Sequence, residues 1–180
     1  MPRPKSTPVF YRVAASLLTT SDKIEVLGEN SSGEVECILH FANDEIWVGV
    51  GSDHTDRKLE TIGVAVSKQM CAKPISKEVW PFADVATHWD ALILRSFAQI
   101  DGERRLYQEG AVASIRAPQE LVRLYAGNDR LPPGTSMFCG TLPALGGIAP
   151  ASMFEMEIED PVLRRKLVHR YRIETLPQEE

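Results

Sequence analysis

From residue 34 the chain alternates between apolar and polar positions. Val35, Cys37, Leu39 and Phe41 share one side of an extended run, and Glu34, Glu36, Ile38 and His40 share the other, which predicts a strand over Glu34–Phe41. Asn43-Asp44 predicts the turn of a hairpin, and the near-continuous apolar run Ile46–Val50 predicts a buried second strand. Ile62–Val66 is a third such run. Upstream, Met1–Pro8 holds three prolines and reads as an extended lead-in, Phe10–Leu18 as a short strand or packed loop, and Ile24–Leu27 as a short strand closed by the turn-rich cluster Gly28–Gly33.

Downstream, Glu78–Val85 has a proline inside an apolar pattern and predicts an irregular edge. His88–Phe97 predicts a strand, because Asp101-Gly102 is a strong hairpin signal and Arg105–Gln108 can pair back. Pro118–Ala126 is the convincing helix: proline in its first turn, an apolar stripe of Leu121, Val122, Leu124 and Tyr125, and Gly127-Asn128 to stop it. Leu131–Gly134 predicts a rigid turn, Met137–Gly140 a strand, Leu142–Pro150 a Gly/Pro loop, and Met153–Ile158 and Leu167–Leu176 further strands. Many short strands with one or two helices predict an α+β, β-rich barrel or roll. The expected division is a lead-in with short strands over 1–33 and a catalytic or binding region over 34–180, within one domain overall.

Composition narrows the classes. The 180 residues, 43% hydrophobic and 25% charged, suit a globular core built without staples. A net charge of −5 with no basic stripe argues against a nucleic-acid surface, and the apolar runs are far short of a membrane span. No apolar h-region follows the basic start, so no signal-peptide pattern opens the chain. Cys37, Cys71 and Cys139 are isolated and odd in number, which fits a reducing cytoplasm.

Candidate chemistry gathers between Glu34 and Lys73. Glu34 and Glu36 stand at i and i+2 and therefore point the same way on a strand. Two such carboxylates repel unless a cation lies between them, and hard cations such as Mg²⁺ take oxygen ligands. The plainer alternative is a solvated strand face. Asp53 follows the buried strand directly; it is either a third ligand or the cap of the next element. His54, Asp56 and Arg57 crowd the same turn. Lys73, before Pro74, can stabilise an enolate or carboxylate if buried, and is otherwise an exposed lysine. Gly140-Thr141, with Gly146-Gly147 after it, offers close backbone approach and a hydroxyl. The four histidines form no ligand pair, and no nucleophile-elbow, P-loop or dinucleotide motif is present.

In this order, Glu-x-Glu, Asp-x-x-x-Arg, a lysine about twenty residues past the Asp, and Gly-Thr-x-Pro, the chain resembles the fumarylacetoacetate hydrolase superfamily; the strings SGEVE, GSDHTDR, SKQMCAKP and LYQEG look like a bacterial branch of it. The resemblance runs from Glu34 to about Leu176. It implies that Glu34, Glu36 and Asp53 hold Mg²⁺ or Mn²⁺, and that Arg57 and Lys73 act at the substrate. It further implies that Glu60, Gly140 and Thr141 help to bind a small oxo-acid, and that the protein is a homodimer. The implied chemistry is hydrolysis of a C–C bond, decarboxylation or tautomerisation through a metal-bound enolate. The alternative is a family member that binds a metabolite without turning it over.

The chain departs from the family pattern at four points. The gap from Glu36 to Asp53 is short, Asp56 replaces a small residue, and Glu60 stands where the family has Gln. No His–Glu pair that would activate water precedes Glu34, as though an upstream segment were missing.

Overall fold

The computed structural model describes residues 7–178; the first six residues of the expected Met1–Pro8 lead-in lie outside them. A 3-10 turn, Ala15–Leu17, precedes β1 (Leu18–Thr19), β2 (Lys23–Leu27) and β3 (Ser31–Ser32). The first long hairpin is β4 (Val35–Ala42) and β5 (Glu45–Ser52). Then β6 (Thr55–Asp56) runs directly into the short helices α1 (Arg57–Glu60) and α2 (Val64–Gln69). An irregular stretch carries β7 (Lys73–Pro74), β8 (Trp80–Pro81) and α3 (Phe82–Val85) to the second hairpin, β9 (Ile93–Ile100) and β10 (Glu103–Ala111). Helix α4 (Pro118–Ala126), β11 (Thr135–Thr141), β12 (Met153–Asp160) and β13 (Arg165–Leu176) follow.

Two sheets carry these strands. One has the order β10-β9-β12-β13-β2, and the other β11-β4-β5-β8. The second is antiparallel throughout; the first is antiparallel except where β13 meets β2. Two-residue pairings, β1 with β7 and β3 with β6, hold the connecting loops beside the open end of the first hairpin. Between the sheets the rings of Tyr107, Phe154 and Tyr171 pack in sequence, with centroids 5.9 and 5.8 Å apart. They belong to one buried core with Val35, Cys37, Leu39, Phe41, Leu94, Met156 and Ile158. Burying these side chains is the main force holding the sheets together.

The alternation in β4 predicted one buried face, and both are covered: Cys37 is 1% exposed and Ile38 0%. The second face is closed by Gly51 and the Pro74 carbonyl, which crowd Ile38. Turn chemistry was legible. Asp101 and Gly102 both take left-handed φ (53° and 81°), as a tight hairpin with the strand twist requires, and Gly127 ends α4 at φ 72°.

Two elements differ from expectation. Ile62–Val66 is not a strand: Ile62 lies in a turn, Val64 starts α2, and Ile62 and Val66 stay exposed. A run of five apolar residues is too short for its period to separate strand from helix. The strand expected over His88–Phe97 starts only at Ile93, because residues 86–91 form 3-10 turns. There the His88 ring is held by Asp160, with Nε2 3.0 Å from Oδ1, and Trp89 inserts into the core.

Candidate metal centre

The first hairpin builds the site. Its turn falls at Asn43-Asp44, and the antiparallel register pairs Glu36 with Gly51 and Val35 with Ser52. One step further out, the Asp53 N–H donates to the Glu34 carbonyl at 3.0 Å. Glu34 and Asp53 therefore flank the hairpin's open end, and Glu36 projects from the same face one pleat inward. Each of the three offers a carboxylate oxygen within 4.8 Å of the others. Short spans between strand ends suffice, so the brief Glu36–Asp53 gap needs no long insertion.

Burial makes this cluster costly without a cation. Glu36 is 5% exposed, and its carboxyl is raised well above the ordinary range, first by burial and then by the charges of Asp53 and Glu34. One hydrogen bond opposes that shift: the Gly140 N–H donates to Glu36 Oε2 at 2.6 Å. Gly140 holds φ 105°, where side chains are strained, so glycine is the residue that can aim its N–H there. The Asp53 Oδ1 atom is buried and has no aligned hydrogen-bond donor, although Lys73 Nζ lies 3.0 Å away. A carboxylate oxygen carries more than one lone pair, so Asp53 Oδ1 could face a cation as well as Lys73. An all-oxygen donor set suits Mg²⁺ or Mn²⁺. The residues fit the ion.

Two lysines and one arginine enclose the trio. Lys73, from β7, is 1% exposed; its Nζ donates to the His54 carbonyl at 2.5 Å and faces Asp53. Burial lowers its pKa, partly offset by Asp53. Lys68, from α2, lies with Nζ 2.5 Å from Asp53 Oδ2 and 3.6 Å from Glu34 Oε2. Burial works against its charge, but Asp53 and Glu34 outweigh it and its pKa is raised. Each of the three Arg57 nitrogens has a partner: Nε donates to Ser32 Oγ at 2.7 Å, Nη1 to Glu60 at 2.9 Å, and Nη2 lies 3.0 Å from Glu34 Oε1. Glu60 is thus paired with Arg57, which it shares with Glu34. Asp56 caps α1 by accepting from the Leu59 N–H, 2.9 Å away.

Behind Asp53, His54 is fully buried. Its Nδ1 lies 2.9 Å from Tyr171 Oη and its Nε2 2.9 Å from Ser31 Oγ. The Tyr171 hydroxyl donates to Ser52 Oγ at 2.8 Å, so its oxygen accepts from His54 Nδ1–H, and Nε2 accepts from Ser31. Burial, then Lys73 and Arg57, push the His54 pKa down to about 3, so the ring is neutral. It braces the Asp53 turn.

A cleft of about 240 Å³ opens on the trio's outer side, lined among others by Glu34, Arg57, Tyr107, Gln108 and Thr141. The Thr141 hydroxyl donates to the Val35 carbonyl at 2.8 Å and accepts from Gln108 Nε2 at 2.9 Å. Gln108 also donates to the Leu142 carbonyl, while its Oε1 accepts from the Val35 N–H and Ser96. A larger hollow of about 370 Å³, near Gly28, Asp101 and Pro150, contains none of the trio and no cationic side chain.

All eight residues singled out in the sequence, Glu34, Glu36, Asp53, Arg57, Glu60, Lys73, Gly140 and Thr141, thus lie in or against one region. Lys68 and Gln108 were not singled out. Lys68 becomes visible once residues 64–69 are helical; Gln108 sits inside the LYQEG string but carries no chemical signature of its own.

The chain has a β-rich α+β fold with a three-carboxylate cluster at a hairpin end, consistent with the fold that the resemblance implied. The chain matches the family model described as "Protein of unknown function (DUF2848)" over residues 1–171, and it belongs to that family. No curated protein matches it. Among solved structures, it is similar to "2-keto-3-deoxy-D-arabinonate dehydratase complexed with magnesium and 2,5-dioxopentanoate" (TM-score 0.70, 16% identity, 94% of this chain and 63% of that one). It is also similar to a hexagonal crystal form of 2-keto-3-deoxyarabinonate dehydratase (TM-score 0.71, 17% identity, 94% and 62%) and to Cg1458 (TM-score 0.61, 20% identity, 86% and 63%). The chain therefore spans less than two thirds of the length of these structures. No helix among the described residues is long and apolar enough to cross a membrane.

Proposed function

We propose that the protein is a divalent-metal-dependent enzyme acting on a small 2-oxo acid by moving a proton at the carbon beside the oxo group. The observation that carries this reading is the buried Lys73 ammonium, 3.0 Å from Asp53 Oδ1 of the three-carboxylate cluster. The similar dehydratase structure, complexed with magnesium and 2,5-dioxopentanoate, supports the substrate class. Glu34, Glu36 and Asp53 would hold Mg²⁺ or Mn²⁺. The ion, when bound, supplies Lewis acidity toward the oxo and carboxylate oxygens of such an acid.

The chain's own groups supply the rest. Lys73 holds a proton at Nζ in a site where burial weakens its charge, which suits it to exchange that proton with the substrate carbon. Arg57 orients Glu34 and lends positive charge to the cleft wall, where there is room beside Thr141 for a substrate carboxylate. Decarboxylation, tautomerisation and dehydration all need this proton transfer. Hydrolysis needs an activated water, and His54, beside Asp53, has both ring nitrogens engaged in the interior. A homodimer, implied by the resemblance, belongs to the same proposal and is measured by sedimentation.

The test uses a panel of 2-oxo acids in D₂O with Mn²⁺ or Mg²⁺, following deuterium uptake at C3 by NMR. The expected result is metal-dependent exchange in the parent and none in Lys73→Met. Exchange that survives in Lys73→Met, or that ignores a chelator, overturns the proposal.

A further inference from the structure

Lys68 is the one charged group in the trio's first surroundings that the reaction outlined above does not use. Its Nζ donates to Asp53 Oδ2 at 2.5 Å and lies 3.6 Å from Glu34 Oε2, so a single ammonium bridges two of the three carboxylates. A divalent cation held by these carboxylates would lie about 2.0–2.6 Å from their oxygens, immediately beside that ammonium. An ammonium and a dication cannot both sit on Asp53 and Glu34 at those distances without strong repulsion.

The two lysines differ in what anchors them. The Lys73 side chain is 1% exposed and tied to the His54 carbonyl, so it stays. The Lys68 side chain is 14% exposed, and its contacts at this site are the two carboxylates. It hangs from α2, a six-residue helix at the surface whose Val66 is 55% exposed and whose N-cap makes no side-chain hydrogen bond. A long, flexible lysine on such a carrier can move its head into water at little cost.

Resting on the reading of the trio as a metal centre, we propose that Lys68 is its built-in counter-ion, and that the Lys68 ammonium and the divalent metal compete for Asp53 and Glu34. The lysine holds Asp53 and Glu34 together before the ion arrives and must withdraw when it binds. It sets how tightly the metal is held.

The test is Mn²⁺ affinity, read from the electron paramagnetic resonance signal of free Mn²⁺, in the parent, Lys68→Met, Lys68→Gln and Lys58→Met. Lys58 is an exposed lysine on α1 and controls for net charge. Removing the competing charge should tighten Mn²⁺ binding at least about tenfold in both Lys68 variants. Lys58→Met should change it less than about twofold, as expected for a screened surface charge. Two substitutions of different polarity keep the test open if one fails to fold. Equal or weaker binding in the Lys68 variants overturns the inference, as does equal tightening in Lys58→Met. If Glu36→Gln still abolishes binding in that case, the metal centre stands without Lys68 as its competitor. No Mn²⁺ binding by the parent or by either Lys68 variant overturns both the inference and the metal centre.

Discussion

Glu34 and Asp53 face one another across the open end of the β4–β5 hairpin, joined by the hydrogen bond from the Asp53 N–H to the Glu34 carbonyl at 3.0 Å. Nineteen residues apart in sequence, they are neighbours because the Asn43-Asp44 turn fixes the register. The ligand geometry is therefore carried by the backbone of a buried hairpin, which is rigid, and the side chains have little freedom left.

Carboxamide substitution tests the trio directly. Asp53→Asn and Glu36→Gln should each weaken Mn²⁺ binding at least about 100-fold, measured by calorimetry. Because burial raises the Glu36 carboxyl, protons compete with the ion for it increasingly as pH falls. Affinity should therefore rise with pH, and titrations in buffers of different ionisation enthalpy should show proton release. Binding without proton release would remove Glu36 from the ligand set.

Gly51 sits opposite Glu36, and a Cβ there would meet Ile38 Cδ1 at 2.1 Å and the Pro74 carbonyl at 3.0 Å. Ile38 is fully buried and the carbonyl is backbone, so neither can simply turn away. Gly51→Ala should cost about 1–3 kcal/mol, visible as a lower urea midpoint. A variant as stable as the parent would mean that β5 and β7 can separate there.

Gly140 is a separate case, since the nearest atom to its added Cβ would be Ile115 Cγ2 at 3.3 Å, and the backbone conformation is the obstacle. Gly140→Ala should cost about 1–2 kcal/mol of stability. It should also weaken Mn²⁺ binding by turning the N–H away from Glu36. Unchanged affinity in a destabilised variant would limit Gly140 to a structural role.

His54 predicts an acid limb in the stability of the metal-free protein. Its pKa is about 3 when folded and about 6.5 in an unfolded chain. Above pH 6.5 the ring is neutral in both states and contributes no slope. Between those two values the unfolded state binds the proton and the folded state does not. Stability therefore falls as pH falls, by up to about 1.4 kcal/mol per pH unit. Urea midpoints measured across that window should show a shallower slope in His54→Gln than in the parent. Equal slopes would mean that His54 is charged in the folded protein.

Much of this was legible before any coordinates. The strand over Glu34–Phe41, the Asn43-Asp44 turn and the Ile46–Val50 strand were read from alternation and turn chemistry. Together they already place Glu34 opposite Asp53. Proline and glycine punctuation located α4 and the Asp101-Gly102 hairpin to within a residue or two, because these residues act through their own backbone conformation. The segment after Asp53 was not legible in the same way. Ile62–Val66 is apolar but exposed, and its helical state depends on how Ser67 and Lys68 turn toward the protein. For the same reason Lys68 was not singled out.

By itself, then, the sequence determined the hairpin register that sets three carboxylates at one end, since side-chain alternation and turn conformation are local properties of the chain. Only the tertiary structure decided the charge balance around them. It buried Lys73, occupied Arg57 with Glu34, Glu60 and Ser32, aimed the Gly140 N–H at Glu36 and brought Lys68 onto Asp53. Those contacts join residues from β4, β7, α1, α2 and β11, and their strength depends on how much water the packed sheets exclude, which no local pattern encodes.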